Sequence, residues 1–328
     1  MKFNYSQVFD RDIAALGFGC WGIGGYSKNN PGYGYTDDDQ SIAAIHSALD
    51  YGVNYFDTAN IYGDGRSEEI LGRAIHAIRE RVVIATKAGK KAYNKVDFSP
   101  KSLTESIYNS LKRLKTDYID LLQLHDPERS TALSDDILSC LLKLKSAGVI
   151  KHIGASLKSP ADATCFIQQP FEIIQINLNL IDQRAITEEL FFRAKEKNIE
   201  IVTRTPLAFG FLTSSFEGVD MPIFQPEDHR SGWSKNQIKL WLESPKKFQK
   251  LIDETKLSIT ELALRFSVSQ QNTICLLSGM INPSEVAENA AALCKNENLS
   301  EDILNEIYHI YKINTFFLGG QVNKLSEN

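Results

Sequence analysis

The sequence predicts an α/β fold of one domain, in which eight parallel strands close into a barrel with helices outside, the (β/α)8 TIM barrel. Three observations predict it. Short β-branched or apolar runs alternate with amphipathic stretches almost from end to end of the 328 residues, and strand and helix repeated in this way make a parallel sheet. Eight such runs are present, each followed by a helix or a long loop, which suits closure better than an open doubly wound sheet. No Pro-rich linker, low-complexity tract or heptad run interrupts the alternation, so residues 1–328 read as one unit.

In chain order, the first strand is Leu16 to Gly19, and a loop rich in Gly, Asn and Tyr, about residues 20–36, follows it. A helix over Asp39 to Tyr51 leads to the strand Val53 to Phe56, and a helix over Ser67 to Ile78 leads to Val82 to Ala85. The helix Leu103 to Lys115 precedes the strand Ile119 to Leu124, and Ser134 to Ala147 precedes His152 to Ala155. The strand Ile173 to Ile176 comes next, then a helix over Thr187 to Lys197 and the strand Ile199 to Thr203. These helices carry apolar residues at three- and four-residue spacing. An insertion over about residues 205–250 separates that strand from the last, Thr273 to Leu277. Leu299 to Tyr311 is a closing helix, begun by Ser300 with Glu301 and Asp302 in its first turn. Both long loops follow strand ends, where barrel enzymes build their sites.

Composition narrows the function. With 43% hydrophobic and 23% charged residues the chain can bury a large core. A net charge of −5 with no basic stripe argues against nucleic acid, and no apolar run approaches the roughly 20 residues of a membrane span. The N-terminus lacks the apolar core of a secretory signal, so a cytoplasmic protein is expected. The five cysteines, Cys20, Cys140, Cys165, Cys275 and Cys294, form no CxxC pair, so neither a disulfide framework nor a metal site is expected. All but Cys20 read as small buried apolar side chains.

Gly17, Gly19 and Gly22 in GFGCWG match a dinucleotide-binding GxGxxG, with Asp37 about 20 residues on. The context is wrong, because the segment that follows has too much Gly, and a Pro, to nucleate the helix that motif must open. Glycines here read instead as letting backbone or ligand approach closely.

The chemistry lies elsewhere. VNYF runs into DTANIYG, placing Asp57 at a strand end and Tyr62 in the loop beyond; VVIAT runs into Lys87, and YIDLLQL into His125. Singly, Asp57 could cap a turn, Tyr62 pack on the surface, Lys87 be solvated and His125 be a core residue. Together they make a set on the face where barrel active sites lie. A phenol with a pKa near 10 is a poor proton donor at neutral pH, and a close ammonium lowers that value. Lys87 supplies the ammonium, Asp57 keeps it charged, and His125 can orient a carbonyl oxygen or share the proton transfer.

At FDTANIYG, IATKAG and LLQLHDP the sequence resembles the aldo-keto reductases, whose tetrad is Asp, Tyr, Lys and His in this order. GFGCWGIGG, KHIGAS, IIQINLNL, TRTPLAFGFLT and PSEVAENAAA extend the resemblance over nearly the whole chain. It implies an NAD(P)-dependent oxidoreductase that transfers hydride between nicotinamide C4 and an aldehyde or ketone, or an alcohol, with Tyr62 as general acid/base and no metal. It further implies Ser156 and Gln175 on the carboxamide, Thr205, Pro206 and Leu207 along the pyrophosphate, Glu288 and Asn289 at the adenine, and Trp21 in the substrate pocket. Tyr33, Phe209, Phe211, Phe224 and Trp233 are further candidate pocket walls; aromatic walls suit sugars, aryl aldehydes and steroids alike, and His229 and Arg230 as polar contacts turn the expectation to a sugar or sugar derivative.

Several positions depart from the family pattern. Leu157 stands where members commonly have Asn, and Arg204 replaces the aromatic residue that stacks on the nicotinamide, as in a subgroup that also carries a DHR segment like Asp228, His229 and Arg230 here. A guanidinium can stack, and its charge should favour the reduced, neutral ring; the other reading of Arg204 is an ion pair with Asp228 or another acid. Gly279, Met280 and Glu285 occupy the places of Lys, Ser and Arg in members that clamp a 2′-phosphate, which leans from NADP(H) to NAD(H). Two other readings of the same barrel are a cofactor-sensing, non-catalytic subunit, like the family's potassium-channel partners, and a cofactor-retaining epimerase or lyase. The complete tetrad favours the oxidoreductase.

Overall fold

The computed structural model describes residues 1–318 apart from 31, 93–94, 133, 169 and 295–297. Its strands are β1 (Phe3–Ser6), β2 (Arg11–Ala14), β3 (Leu16–Gly19), β4 (Tyr55–Asp57), β5 (Val83–Ala88), β6 (Ile119–His125), β7 (Ile150–Ser156), β8 (Ile173–Asn177), β9 (Glu200–Arg204) and β10 (Thr273–Gly279). β3 to β10 pair in parallel and close on themselves in the order β10-β3-β4-β5-β6-β7-β8-β9, the predicted (β/α)8 barrel. β5, β6 and β8 are buried along almost their whole length, as strands covered on both faces must be.

One layer of core lies between the strands and the surrounding helices. A second fills the barrel: Tyr55, Val83, Leu121, Ile173, Val202 and Ile274 meet there, with Ile13 of β2. β1 and β2, which the sequence reading did not anticipate, form an antiparallel hairpin. Ile13, with Phe9 and Val8 packed on the same cluster, plugs the barrel at the N-terminal ends of its strands. Only the opposite end is free to open.

The helices depart from expectation where tertiary packing overrides periodicity. The stretch over Thr187 to Lys197 divides into Arg184–Thr187 and Leu190–Glu196, with Glu189 at φ 57°; the break buries Leu190, Phe191 and Ala194. Likewise, the helix beginning at Arg66 ends at Ile75 and continues as a tighter turn to Arg81. A single helical turn, Trp21–Gly24, forms within the motif itself; no helix follows it in the described residues of the Gly-rich segment, and the long helix starts only at Asp38. Asp37 is the N-cap of that helix and accepts from Gln40 N at 2.8 Å, so its side chain is spent on the helix start rather than on a ribose. The insertion is partly helical, over Lys235–Leu242 and Gln249–Thr255. The closing helix spans Glu301–Ile313, and most of the tail, from 319, lies outside the described residues. All five cysteines are free; Cys275 is buried as expected, but Cys140 and Cys165 are half-buried and Cys294, near the end of an outer helix, is exposed. No described helix is long and apolar enough to cross a membrane.

The helix Ile259–Ser267, whose Thr260 reaches the open end of the barrel, begins with a capping box: Ser258 Oγ accepts from Glu261 N, and the Glu261 carboxylate accepts from Ser258 N. Ser258→Ala should lower the unfolding free energy by about 1 kcal/mol. A urea titration checks it, and an unmoved midpoint would show that the cap does not contribute.

Candidate active site

Strand register brings the ionisable groups together. Asp57 ends β4, Lys87 is the next-to-last residue of β5 and His125 ends β6. Lys87 lies beside Gln123 on the neighbouring strand, His125 beside Ser156, and Ser156 beside Gln175. The buried Lys87 ammonium donates to an Asp57 carboxylate oxygen, to Thr58 O at 2.9 Å and to Tyr62 Oη at 3.3 Å. Three donors meet three acceptors, so its direction is fixed. Burial alone would pull Lys87 down; Asp57, and then Tyr62, hold its pKa above the usual lysine value.

The other Asp57 oxygen, Oδ2, accepts from Gln123 Nε2 at 2.9 Å and Gln175 Nε2 at 2.7 Å. Ser156 Oγ donates to Gln175 Oε1 at 2.9 Å. Gln123 escaped the sequence reading, although an amide set among the leucines of LLQLH was the available signal. The His125 ring stands edge-on to Tyr62, with centroids 6.0 Å apart. Burial, then the charges of Lys90, Lys87, Arg204 and Lys158, push its pKa well below the ordinary histidine value, so the ring is neutral.

Tyr62 owes its place to two glycines. It opens the short turn Tyr62–Gly65, in which Gly63 has φ 58°, and a side chain on Gly63 would collide with the carbonyl oxygen of Gly24. A Cβ on Gly24 would in turn lie 3.0 Å from the Tyr62 carbonyl carbon.

A cleft of about 540 Å³ opens at the C-terminal ends of the strands, within the usual range for a ligand site. Asp57, Tyr62, Gln175, Arg204, Thr205, Pro206, Leu207, Gly279, Glu285, Glu288 and Asn289 line it, while Lys87 and His125 are not among the lining residues. Trp21, Tyr33, Phe209 and Arg230 also face it. Ser156 is buried, with its hydroxyl given to Gln175. Met280 is wholly buried and turns away from the cleft into the core.

Trp233 does not line the cleft, contrary to expectation. It packs against Trp241, Phe209 and His229, with centroids 4.9, 5.0 and 5.1 Å away, and supports the wall from behind. Phe211 and Phe224 are likewise not among the lining residues. His229 is half-buried between Trp21, Tyr33 and Trp233, and its backbone N–H donates to Gly32 O at 2.8 Å, joining the insertion to the first loop. Arg204 makes no ion pair with Asp228, because Arg230 occupies that carboxylate at 2.6 Å. Instead, Arg204 Nη2 donates to Leu157 O at 3.0 Å, and Nε is buried without a partner.

The sequence model of the aldo/keto reductase family matches residues 15–312. The chain belongs to the aldo/keto reductase family. It is thus an NAD(P)H-dependent oxidoreductase of the kind that acts on small carbonyl compounds. Aldo-keto reductase YhdN of Bacillus subtilis is 33% identical over 86% of each chain. The NADH-specific methylglyoxal reductase of Escherichia coli is 32% identical over 89% of this chain and 93% of its own. Among solved structures, the glycerol dehydrogenase AKR11B4 from Gluconobacter oxydans superposes with a TM-score of 0.80 at 28% identity, covering 98% of both chains.

If the Gly24–Gly63 contact sets the position of Tyr62 in this reductase, Gly63→Ala should lower kcat on the order of 100-fold while the reduced cofactor still binds. Wild-type turnover by the variant would separate the turn from the chemistry.

Proposed function

We propose that the enzyme transfers hydride between nicotinamide C4 and the carbonyl carbon of an aldehyde or ketone, or takes it from the corresponding alcohol, with Tyr62 as general acid/base. The saturated Lys87 ammonium carries this reading. Its third N–H is spent on the Tyr62 oxygen, which leaves the phenol proton free to turn into the cleft. Asp57 keeps Lys87 charged, and neutral His125 holds the substrate oxygen at the edge of the phenol ring.

The cleft fits a dinucleotide laid along it, since a Cβ added at Gly279 would meet only open space and Gln175 and Arg204 line it together with Asp57 and Tyr62. Bound there, the cofactor supplies the hydride. Gln175, backed by Ser156, receives the carboxamide, and buried Leu157 adds no amide of its own. Arg204 lies against the nicotinamide, where its charge favours the neutral, reduced ring. Thr205, Pro206 and Leu207 follow the pyrophosphate, and Glu288 and Asn289 meet the adenine. Glu285 accepts from Ile281 N at 2.9 Å and Asn282 Nδ2 at 3.0 Å. Its carboxylate is thereby held at the start of the helix Pro283–Cys294, which disfavours a 2′-phosphate and selects NAD(H). Trp21, Tyr33 and Phe209, with Arg230 as a polar contact, suit a sugar derivative.

The test is a fluorescence titration of the purified protein with NADH and NADPH, followed by a panel of aldehydes and keto sugars. NADH should bind more tightly and be oxidised, and Tyr62→Phe should bind it equally but turn over at least roughly 100-fold more slowly. Failure to bind either cofactor overturns the assignment, and binding without turnover favours a cofactor-sensing subunit. In the same titration Glu285→Ala should narrow the preference for NADH over NADPH by about tenfold. Arg204→Tyr should shift relative affinity toward the oxidised form; unchanged ratios would remove both roles.

A further inference from the structure

A second charged arrangement stands beside the tetrad and has no part in the proton transfer described above. Lys90 Nζ and Lys158 Nζ both contact the same oxygen, Asp126 Oδ2, at 3.1 and 2.9 Å. One carboxylate therefore serves two ammonium groups, and neither lysine has another acidic partner among the described residues. Arg204, close by through its bond to Leu157 O, has no acidic partner among them either. Two positive charges are left without a counter-ion at one edge of the site.

The fold ties this edge to the chemistry. Asp126 follows His125 directly, Lys158 follows Ser156 and Leu157, and Lys90 lies three residues beyond Lys87. Asp126 N donates to Ser156 O at 2.7 Å, locking the ends of β6 and β7 together. The side chain of Lys158 is 37% exposed and that of Lys90 14%; neither is among the residues that line the cleft itself, and Lys158 is the more open to a ligand. Excess positive potential is registered by the groups themselves. Burial pulls the Lys90 ammonium below the usual lysine value; Asp126 opposes this and Lys158 lowers it again. The same lysines and Arg204 help keep His125 neutral.

We propose that Lys90 and Lys158 form the subsite for an anionic group on the substrate, so that the preferred compound is a sugar-like aldehyde or ketone carrying a carboxylate or a phosphate away from its carbonyl. This rests on the reading that Tyr62 and His125 hold the carbonyl oxygen. Asp126 is the positioning residue: it gathers both ammonium groups on one oxygen while leaving their combined charge unbalanced. An uncharged analogue would leave that charge unmatched, and the selectivity follows from this difference.

The test compares kcat/KM within matched pairs at saturating reduced cofactor: succinic semialdehyde against butanal, and glyceraldehyde 3-phosphate against glyceraldehyde. The anionic member of at least one pair should be favoured by roughly tenfold or more, and the advantage should shrink as salt is raised. Which pair responds tells carboxylate from phosphate. Lys158→Gln and Lys90→Gln should each reduce the anionic-to-neutral ratio, and Lys158, the more exposed, keeps the test open if the Lys90 variant does not fold. Equal kcat/KM within both pairs, or a preference that survives in both variants, overturns the proposal. Turnover of butanal and glyceraldehyde with no preference defeats only this inference, whereas absence of turnover on all four compounds defeats the reading of Tyr62 and His125 as well.

Discussion

The ion pair between Lys87 and Asp57 is the constraint to which the rest of the site answers. Taking an ammonium and a carboxylate out of water costs several kcal/mol apiece, and the loss is recovered only when every remaining donor and acceptor is matched. Here the matching is drawn from four strands. β4 brings Asp57 and is followed by Thr58, β5 brings Lys87, β6 brings Gln123 and β8 brings Gln175. These partners meet only if the parallel register is kept from β4 through β8, so closure of the barrel and assembly of the tetrad are one geometric requirement. Tyr62 alone comes from outside the strands. The glycine contact at Gly24 and Gly63 fixes it there, where any side chain would push the turn away.

A barrel has two ends, and the sequence makes them unequal. At the N-terminal ends the hairpin of β1 and β2 inserts Ile13 among Tyr55, Val83 and Ile274, leaving no room for a ligand. At the C-terminal ends polar side chains replace apolar ones, and the first loop and the insertion meet above them through Gly32, Asp228 and His229. Burial, opposed by Gly32 O and Asp228 and assisted by Arg230, moves the His229 pKa to about 4, so the ring of His229 is uncharged at neutral pH. Its rings therefore pack with Trp21 and Tyr33 as an aromatic cluster.

The strands and the placement of Asp57, Lys87 and His125 were legible because parallel strands buried on both faces read as unbroken apolar runs, and a run that ends on a charged residue declares its polar end. Features that depend on partners distant in sequence were not. Gln123 is a lone amide in such a run until register sets it against Asp57. The hairpin strands are four residues each, with Phe3 and Tyr5 exposed, and only Ile13 reveals their purpose once the barrel is closed. The misplaced Trp233 has the same origin: composition shows that the insertion is aromatic, but not which ring faces the cleft and which supports it from behind. Glu188 and Glu189 continue a helical pattern, yet the chain breaks there because burying Leu190 and Phe191 outweighs the cost of one left-handed residue.

Charge is unevenly distributed around the site, and this bears on which group can act as the acid. Glu285 and Glu288 line the cleft, the pair of Asp57 and Lys87 is balanced, and Lys90, Lys158 and Arg204 form an unbalanced edge whose two lysines are not among the lining residues. His125 lies against that edge. A histidine there cannot hold a second proton at neutral pH, because each nearby cation raises the free energy of the imidazolium. It remains able to donate or accept one hydrogen bond, which suits orientation but removes it as a store of protons. The remaining group that faces the cleft with an ionisable proton and a fixed ammonium behind it is Tyr62. On the proposed assignment, the cations that would select the substrate also divide the labour between the two rings: by keeping His125 neutral they leave proton transfer to the phenol.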